Sequence, residues 1–423
     1  MIIYLYVLFP WGNQYMQIPV SAILLISLLC MSQAGWAADK LEVRGMVEFQ
    51  AVYNDAEKSW LDGGFSGTRY DTGSFPLQLG KVGLQVDYHI TDTLWLQTTT
   101  HFYWGDAPEA ELLEVYFSYR PVPAGPMRMR ARVGAFHLPI SLENRDLAWT
   151  SRFSTTPSVI NTWVGEDLRT IGAELSLDWP GRFRQSAHSW KLTGAVFGYN
   201  DANGTILDHR GWANHDQQTG LFTPLRLPTV VPGQKSEIYT FYENDDKPGY
   251  YLIGEWTYLD RFTLQFTHYD NLARIGYGRD RQSGWRTRFK QLAAEWRLPN
   301  QWLLETQAMH GNTHALNPVT GNTYDSDFTS FYILANKILK KNSFSARLEY
   351  FSVDDKDQAP VDHSQQNGFS TMLSWQYLYS DRFRFGAEWL LSDSDKLDRY
   401  IYTGRGHELI QQLLFTVQYR FHN

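Results

Sequence analysis

The side chains able to act on a passing charge are concentrated in one stretch. Met127-Arg128-Met129-Arg130-Ala131-Arg132-Val133 swaps apolar and cationic residues at period two, which puts Arg128, Arg130 and Arg132 on one face of a strand. A helix would scatter those arginines around its axis. Residues 138–168 lose the alternation and carry Glu143, Arg145, Asp146, Arg152, Glu166 and Asp167 among Pro, Asn, Ser, Thr and Trp, and the alternation resumes from Arg169 to Trp179. If this long connection turns inward between its two strands, its charges come near Arg128, Arg130 and Arg132, and near Arg44 and Lys81 on the polar faces of earlier strands. Acidic and basic groups facing each other across a narrow aqueous passage orient polar solutes and decide ion preference. The plainer account is that the same charges are solvated and paired with one another, each pair contributing little.

Other chemistry finds less support. There is no Gly-x-Ser-x-Gly, no His-Glu-x-x-His and no pair of cysteines. Residues 208–216 hold Asp208, His209, His215 and Asp216, but the spacing fits no standard metal frame. A folded external segment covering a mouth is the expected role of 200–248. His268 falls on an outward strand position with no serine placed beside it, and the polar-face carboxylates read as lining rather than as an acid and base pair. No catalytic residue, metal or cofactor is assigned.

The elements that must position these charges are strands. Alternation runs through 41–53, where Leu41, Val43, Val47, Phe49 and Tyr53 oppose Glu42, Arg44, Glu48 and Gln50. It recurs in pairs: 77–90 with 93–104, 112–120 with 127–136, 169–179 with 189–199, 250–258 with 261–269, 286–298 with 301–310, 327–339 with 342–353, and 368–379 with 382–392, then a last strand at 407–422. Two-residue connections such as Thr91-Asp92, Leu259-Asp260 and Lys340-Lys341 alternate with long polar ones at 54–75, 138–168, 200–248, 311–326, 354–367 and 393–406. Turns on one side and loops on the other, with about sixteen strands of ten residues or so, predict an all-β fold: a transmembrane antiparallel β-barrel with a long loop folded into its lumen. Aromatics flank the short turns, including Trp179, Trp190, Tyr258, Phe262, Trp296, Trp302 and Tyr379, which suits a girdle at one membrane interface.

Composition agrees. The 423 residues include 16 Trp, 25 Tyr and 24 Phe, yet only 43% of the chain is hydrophobic, a balance that fits strands with one face in lipid and one in water. A net charge of -7 with no dense Lys/Arg cluster excludes a nucleic-acid partner. An apolar run at 18–30 followed by small residues Gly35 and Ala37 predicts a signal peptide over 1–37 and a barrel over 38–423. No Lys or Arg precedes Lys40, so Met16 is an alternative start to Met1. Cys30, the only cysteine, falls in the segment expected to be removed.

From residue 41 to 421 the chain resembles the bacterial outer-membrane porins of the sixteen-strand class, which includes general-diffusion and phosphate-selective members. The resemblance rests on the hairpin rhythm, the aromatic girdle, a long loop between the fifth and sixth strands, and a last strand with outward Leu413, Phe415, Val417, Tyr419 and Phe421. Those last residues resemble the terminal signal read by the barrel assembly machinery, although His422 and Asn423 follow the final aromatic. The resemblance implies export to the Gram-negative outer membrane, contact with its lipids, and a homotrimer. It also implies passive diffusion of small hydrophilic solutes or ions, without catalysis. The competing readings are a plugged barrel that offers 200–248 as an external binding or adhesion surface, and an outer-membrane enzyme.

Overall fold

A computed structural model describes residues 4–8, 15–19 and 40–423, apart from 75, 104–108, 232–233, 280–281, 318–319, 358 and 360–362. The predicted cleavage point near Ala37, and most of the signal segment, lie outside the described residues.

Sixteen strands close into one antiparallel barrel. They are β1 (Leu41–Asn54), β2 (Leu77–His89), β3 (Leu94–Tyr103), β4 (Glu109–Tyr119), β5 (Arg128–Phe136), β6 (Thr170–Trp179), β7 (His188–Gly198) and β8 (Gly249–Tyr258). The second half comprises β9 (Phe262–Asp270), β10 (Trp285–Leu298), β11 (Trp302–Leu316), β12 (Thr323–Leu339), β13 (Asn342–Asp355), β14 (Gln366–Leu378), β15 (Phe383–Lys396) and β16 (His407–His422). Each pairs with its sequence neighbour, and β16 pairs with β1 to close the ring. Closure leaves no unpaired edge, the condition for strands to stand in lipid. Among the described residues no helix is long and apolar enough to cross a membrane, which says nothing of strands.

Alternation decides which face each residue takes. Phe49, Leu192, Leu252, Leu348, Phe369 and Phe415 are 52%, 57%, 57%, 57%, 63% and 58% exposed on the outside, so the apolar face of this barrel is its outer one. Inward residues of the same strands, such as Gln50, Thr193, Arg347, Glu349 and Gln412, are buried. At the closing seam Phe421 pairs with Gly45, and its ring lies where a side chain would stand, since a Cβ there would be 2.1 Å from the Phe421 Cζ. The Asn423 side chain accepts a hydrogen bond from Val43 N–H at 2.8 Å, tying the last residue to the first strand.

The 311–326 loop expected from the sequence is shorter. β11 runs on to Leu316 and β12 begins at Thr323. The outward residues there are His310, Asn312, His314, Asp325 and Asp327, polar on both strands, so the hydrophobic alternation stops before the ladder does. Likewise β15 continues to Lys396 and passes into a short helix, Leu397–Thr403.

The candidate pore constriction

The connection between β5 and β6 enters the barrel. Its peptide groups and charges bond to inward side chains of the far wall: Ile140 O accepts from Gln291 (2.9 Å) and Gln307 (3.1 Å), and Arg152 reaches Glu305 at 2.7 Å. Arg347 of β13, wholly buried, donates to Glu143 (3.1 Å), to Thr156 O (3.0 Å) and to Pro157 O (2.9 Å), and its Nε meets Glu349 at 3.0 Å. Glu388 of β15 accepts from the backbone N–H groups of Thr155 (2.6 Å) and Thr156 (3.0 Å). A segment bonded to β10, β11, β13 and β15 from within lies across the lumen.

Local sequence explains the shape it takes there. Ser158 caps helix α1 (Val159–Asp167), its hydroxyl accepting from Asn161 N–H at 3.3 Å, while Glu349 accepts from Val159 N–H at 2.9 Å and Glu143 from Ser158 N–H at 2.6 Å. Carboxylates at a helix N-terminus satisfy donors that have no partner within the helix and match its positive end. Every residue of α1 is buried, its apolar side chains in the aromatic cluster and its polar ones bonded to the wall and to the second inserted segment. Trp163 sits at its centre, with ring centroids 5.9 Å from Trp212, 5.7 Å from Phe289 and 5.2 Å from Phe328. At the other end of the connection Ala148 and Trp149 take positive φ values of 52° and 58°, a sparsely populated conformation for such residues. That turn lies against Gly83 of β2, where an added Cβ would be 3.1 Å from the Ala148 Cβ.

A second segment, which the sequence reading put outside, also packs within the barrel. Helix α2 (Thr205–His209) and residues 210–216 carry Ile206, Leu207 and Trp212, all buried in one cluster with Trp163, Phe289 and Phe328. Arg210 clamps Glu166 through both nitrogens at 2.7 Å, and His215 stands 3.1 Å from the same carboxylate. Asp216 lies 2.8 Å from Lys81 and 3.4 Å from Arg69, and Lys81 lies 3.7 Å from Glu48. His215 and Asp216 thus turn to different partners, and with Asp208 and His209 they form no common ligand set.

These buried loop charges are strongly perturbed. Burial alone would raise the Asp216 carboxyl, but Lys81 and Arg69 beside it hold it well below the usual carboxylate range. Burial likewise works against ionised Glu166, and Arg210 and His215 overcome it, leaving it at about 2. Asp167 has no cation that close. Burial, reinforced by Glu166, pushes it up to about 7, although Gly204 N–H (2.7 Å) and the Trp163 indole (2.9 Å) donate to it. Burial pushes the His137 imidazole down to about 4.

Most predicted site residues are paired, but not as the sequence reading placed them. Arg132 is bound through two nitrogens to Glu174 (2.8 and 2.7 Å), the residue opposite it on β6. Arg128 lies 4.7 Å over the ring of Phe183, and Arg130 is half-buried with no hydrogen bond or ion pair among the described residues. Arg44 meets Asp87 at 2.5 Å and Glu42 at 3.1 Å. Asp146 takes Arg420 at 2.5 Å and Arg384 at 3.5 Å, while Arg145 approaches Glu295 at 3.6 Å. Glu143, Arg145, Asp146 and Arg152 therefore face β10–β16, and Glu166 and Asp167 face residues 204–215, instead of the arginines of β5, because the loop crosses the barrel before it settles. Sequence reasoning missed Arg347, Glu388, Arg420 and Arg210. Their signal was weak: inward charges on strands that looked like general lining, and an arginine in a loop taken to be external.

Between the two inserted segments a small polar cleft remains, lined by Lys81, Asn144, Trp149, Asn161, His215 and Gln218 among others.

No protein-family model and no curated relative matches the chain by sequence. Solved structures do match in shape. The outer membrane channel DcaP of Acinetobacter baumannii superposes with a TM-score of 0.54 at 9% identity, over 90% of this chain and 97% of that one. OmpT, an outer membrane protein of Vibrio cholerae in its trimer form, gives 0.50 at 10% identity, over 90% and 99%. This chain shares the barrel fold of those two proteins. That fold is the closed sixteen-strand architecture read from the alternation, and at such low identity the likeness extends to architecture alone. Within it the channel interior has two characters: an apolar, aromatic cluster around Trp163 and Trp212, and a charged set around Lys81, Asp216 and the cleft.

Proposed function

We propose that the protein is an outer-membrane porin through which small hydrophilic solutes or ions diffuse passively, the passage being narrowed by the 137–169 connection and by residues 205–216. The observation that carries this reading is a closed barrel with an apolar outer face and an inner wall that is charged on most strands, with a small polar cleft where these two segments cross. A barrel of this strand number encloses an aqueous channel unless loops fill it. The match to a protein described as an outer membrane channel supports the same reading. Solutes would pass along the accessible lumen charges, among them Arg130 and Arg152, which orient dipoles without binding tightly. No reaction is catalysed, and no cofactor or metal takes part.

On this reading the chain is exported by a cleaved signal over 1–37 and folded into the outer membrane with Phe415, Val417, Tyr419 and Phe421 presented on β16 to the assembly machinery. A homotrimer is the expected assembly, as in the trimer form of the Vibrio protein. Single-channel conductance of the purified protein in a planar bilayer, with the reversal potential under a salt gradient, tests the proposal. Stepwise openings with a defined ion preference support it. A folded barrel that never conducts would mean that the aromatic packing around Trp163 is a permanent plug. Turnover of lipid or glycan by the same preparation would instead point to an enzyme.

A further inference from the structure

The outer surface carries one sector that does not fit bare lipid. On β10 the outward positions read Trp296, Ala294 and Leu292 from the turn side, and then Lys290, Arg288 and Arg286. Trp296 and Leu292 are each 50% exposed, as lipid-facing residues should be, and the three cations beyond them are exposed too. Register places His268 of β9 and His310 of β11 beside Lys290, and His314 of β11 beside Arg286. Directly opposed residues stand about 5 Å apart at Cβ, and Arg286 to Lys290 covers about 14 Å of strand.

Acidic neighbours account for only part of this charge. Arg286 pairs with Asp270 at 3.1 Å, and Asp325 lies 3.6 Å from His314. Asp327 accepts from Asn312 at 3.0 Å, and the next cation to it is Lys356 at 4.0 Å. Arg288 and Lys290 make no hydrogen bond or ion pair among the described residues. Elsewhere the same level is acidic: on β15 the outward residues beyond Leu391 are Asp393 and Asp395. The cations are therefore confined to β9–β11, at the edge of the apolar band on the side of the long connections.

We infer that this sector of β9–β11 binds the phosphate-bearing headgroup of an anionic membrane lipid in the leaflet next to the long connections. Arg288 and Lys290 supply the charge, His268 and His310 flank it, and Leu292, Phe266 and Phe331 contact the acyl chains below. Exposed cations at the lipid boundary are costly unless an anion meets them there, and a phosphate at headgroup depth does so. The barrel wall fixes the spacing of the row, and only the side chains are ordered on binding.

The inference rests on the barrel being membrane-inserted, and the test separates the two. The full chain, folded in neutral detergent, is titrated with bis-phosphorylated lipid A and with the same lipid after removal of its phosphates, beside the double variant Arg288→Gln/Lys290→Gln. Affinity for the phosphorylated lipid should fall roughly thirtyfold in the variant, about fivefold for each cation near an anionic surface. The dephosphorylated lipid should bind wild type about as weakly. Far-UV circular dichroism and conductance should be unchanged, because neither residue faces the lumen. Equal affinity of variant and wild type, or indifference to the phosphates, overturns the inference. So does a variant that loses its oligomer while keeping its lipid affinity, which would make this face a contact between copies. Conducting protein without phosphate-dependent binding refutes only the lipid site, whereas a barrel that fails to insert refutes both.

Discussion

Arg130 and Arg347 are both inward arginines on alternating strands, β5 and β13, and yet they do opposite things. Arg347 is wholly buried and ties Glu143 and two backbone carbonyls of the crossing segment to the wall, where Glu349 of the same strand also meets it. Arg130 is half-buried and has no hydrogen-bond or ion-pair partner among the described residues. Strand position alone does not distinguish them. What differs is the depth at which the inserted segments cross: where they cross, a charge is paired and becomes part of the packing, and toward the short-turn side Arg130 is left without a partner. A lumen of this kind divides into a rigid, paired level and a vestibule with unpaired charge. Only the second can offer its charges freely to a solute.

The contrast is broken most strongly at Arg347. Arg347→Met would leave Glu143 and Glu349 buried without their cation, and removing one partner of a buried pair costs about 3–5 kcal/mol. Much of that cost should appear as detachment of residues 143–158 instead of unfolding of the barrel. The expected outcome is a lower midpoint in urea together with larger and noisier conductance. Unchanged conductance with a lowered midpoint would show that the crossing segment stays in place without the arginine. Asp216→Asn should act in the same direction but less, by about 2–3 kcal/mol as for a hydrogen bond to a charged group, because Lys81 retains Glu48 at 3.7 Å. Conductance should rise.

The strands were legible because both of their faces are dictated by solvent. The expected 261–269 and 342–353 became Phe262–Asp270 and Asn342–Asp355, and the closing strand kept its bounds at His407–His422. The crossing level was not legible, because it depends on partners far apart in sequence: Arg347 and Glu143 are separated by 204 residues, and Asp216 and Lys81 by 135. One signal was available and went unused. Trp60, Phe65, Ile206, Leu207 and Trp212 are large apolar residues in connections assigned to water, and all five are buried. A solvated external loop has no reason to carry them, so their presence argues for loops that turn inward.

Asp167 gives the paired level a pH dependence whose sign can be worked out. Its carboxyl rises from an ordinary 3.8 to about 7 on folding, so the folded state holds the proton more firmly. The associated stability is fully present below the ordinary value and is lost as pH rises through about 7. His137 runs the other way. It is pushed down from 6.5 to about 4, so its contribution is present above the ordinary value and lost as pH falls through about 4. Because the two overlap, wild-type stability alone is a poor readout, and the difference between wild type and Asp167→Asn is the informative one. Wild type should be favoured relative to the variant at pH 4, and the advantage should shrink steadily toward pH 7. A difference that stays flat across that window would mean that Asp167 is ionised throughout.

The smallest stability effect should come with the clearest effect on permeation. Arg130→Ala removes an unpaired charge from the vestibule wall, and with no hydrogen-bonded partner to strand, the stability measured in urea should change by no more than about 0.5 kcal/mol. Reversal potential should nevertheless shift toward cations, because a fixed positive charge near the passage favours anions within about 10 Å at ordinary salt and less as salt increases. Arg132→Ala makes the matching control. It leaves Glu174 buried, with only the Tyr251 hydroxyl at 2.5 Å still donating to it, so it should destabilise the barrel measurably while changing selectivity less than its formal charge suggests. If instead the two alanine variants shift the reversal potential equally, pairing does not silence a lumen charge. The division between a packed level and a vestibule with unpaired charge would then have no consequence for permeation. If only Arg130→Ala shifts it, selectivity in this barrel is set by the charges left unpaired after the loops have folded in.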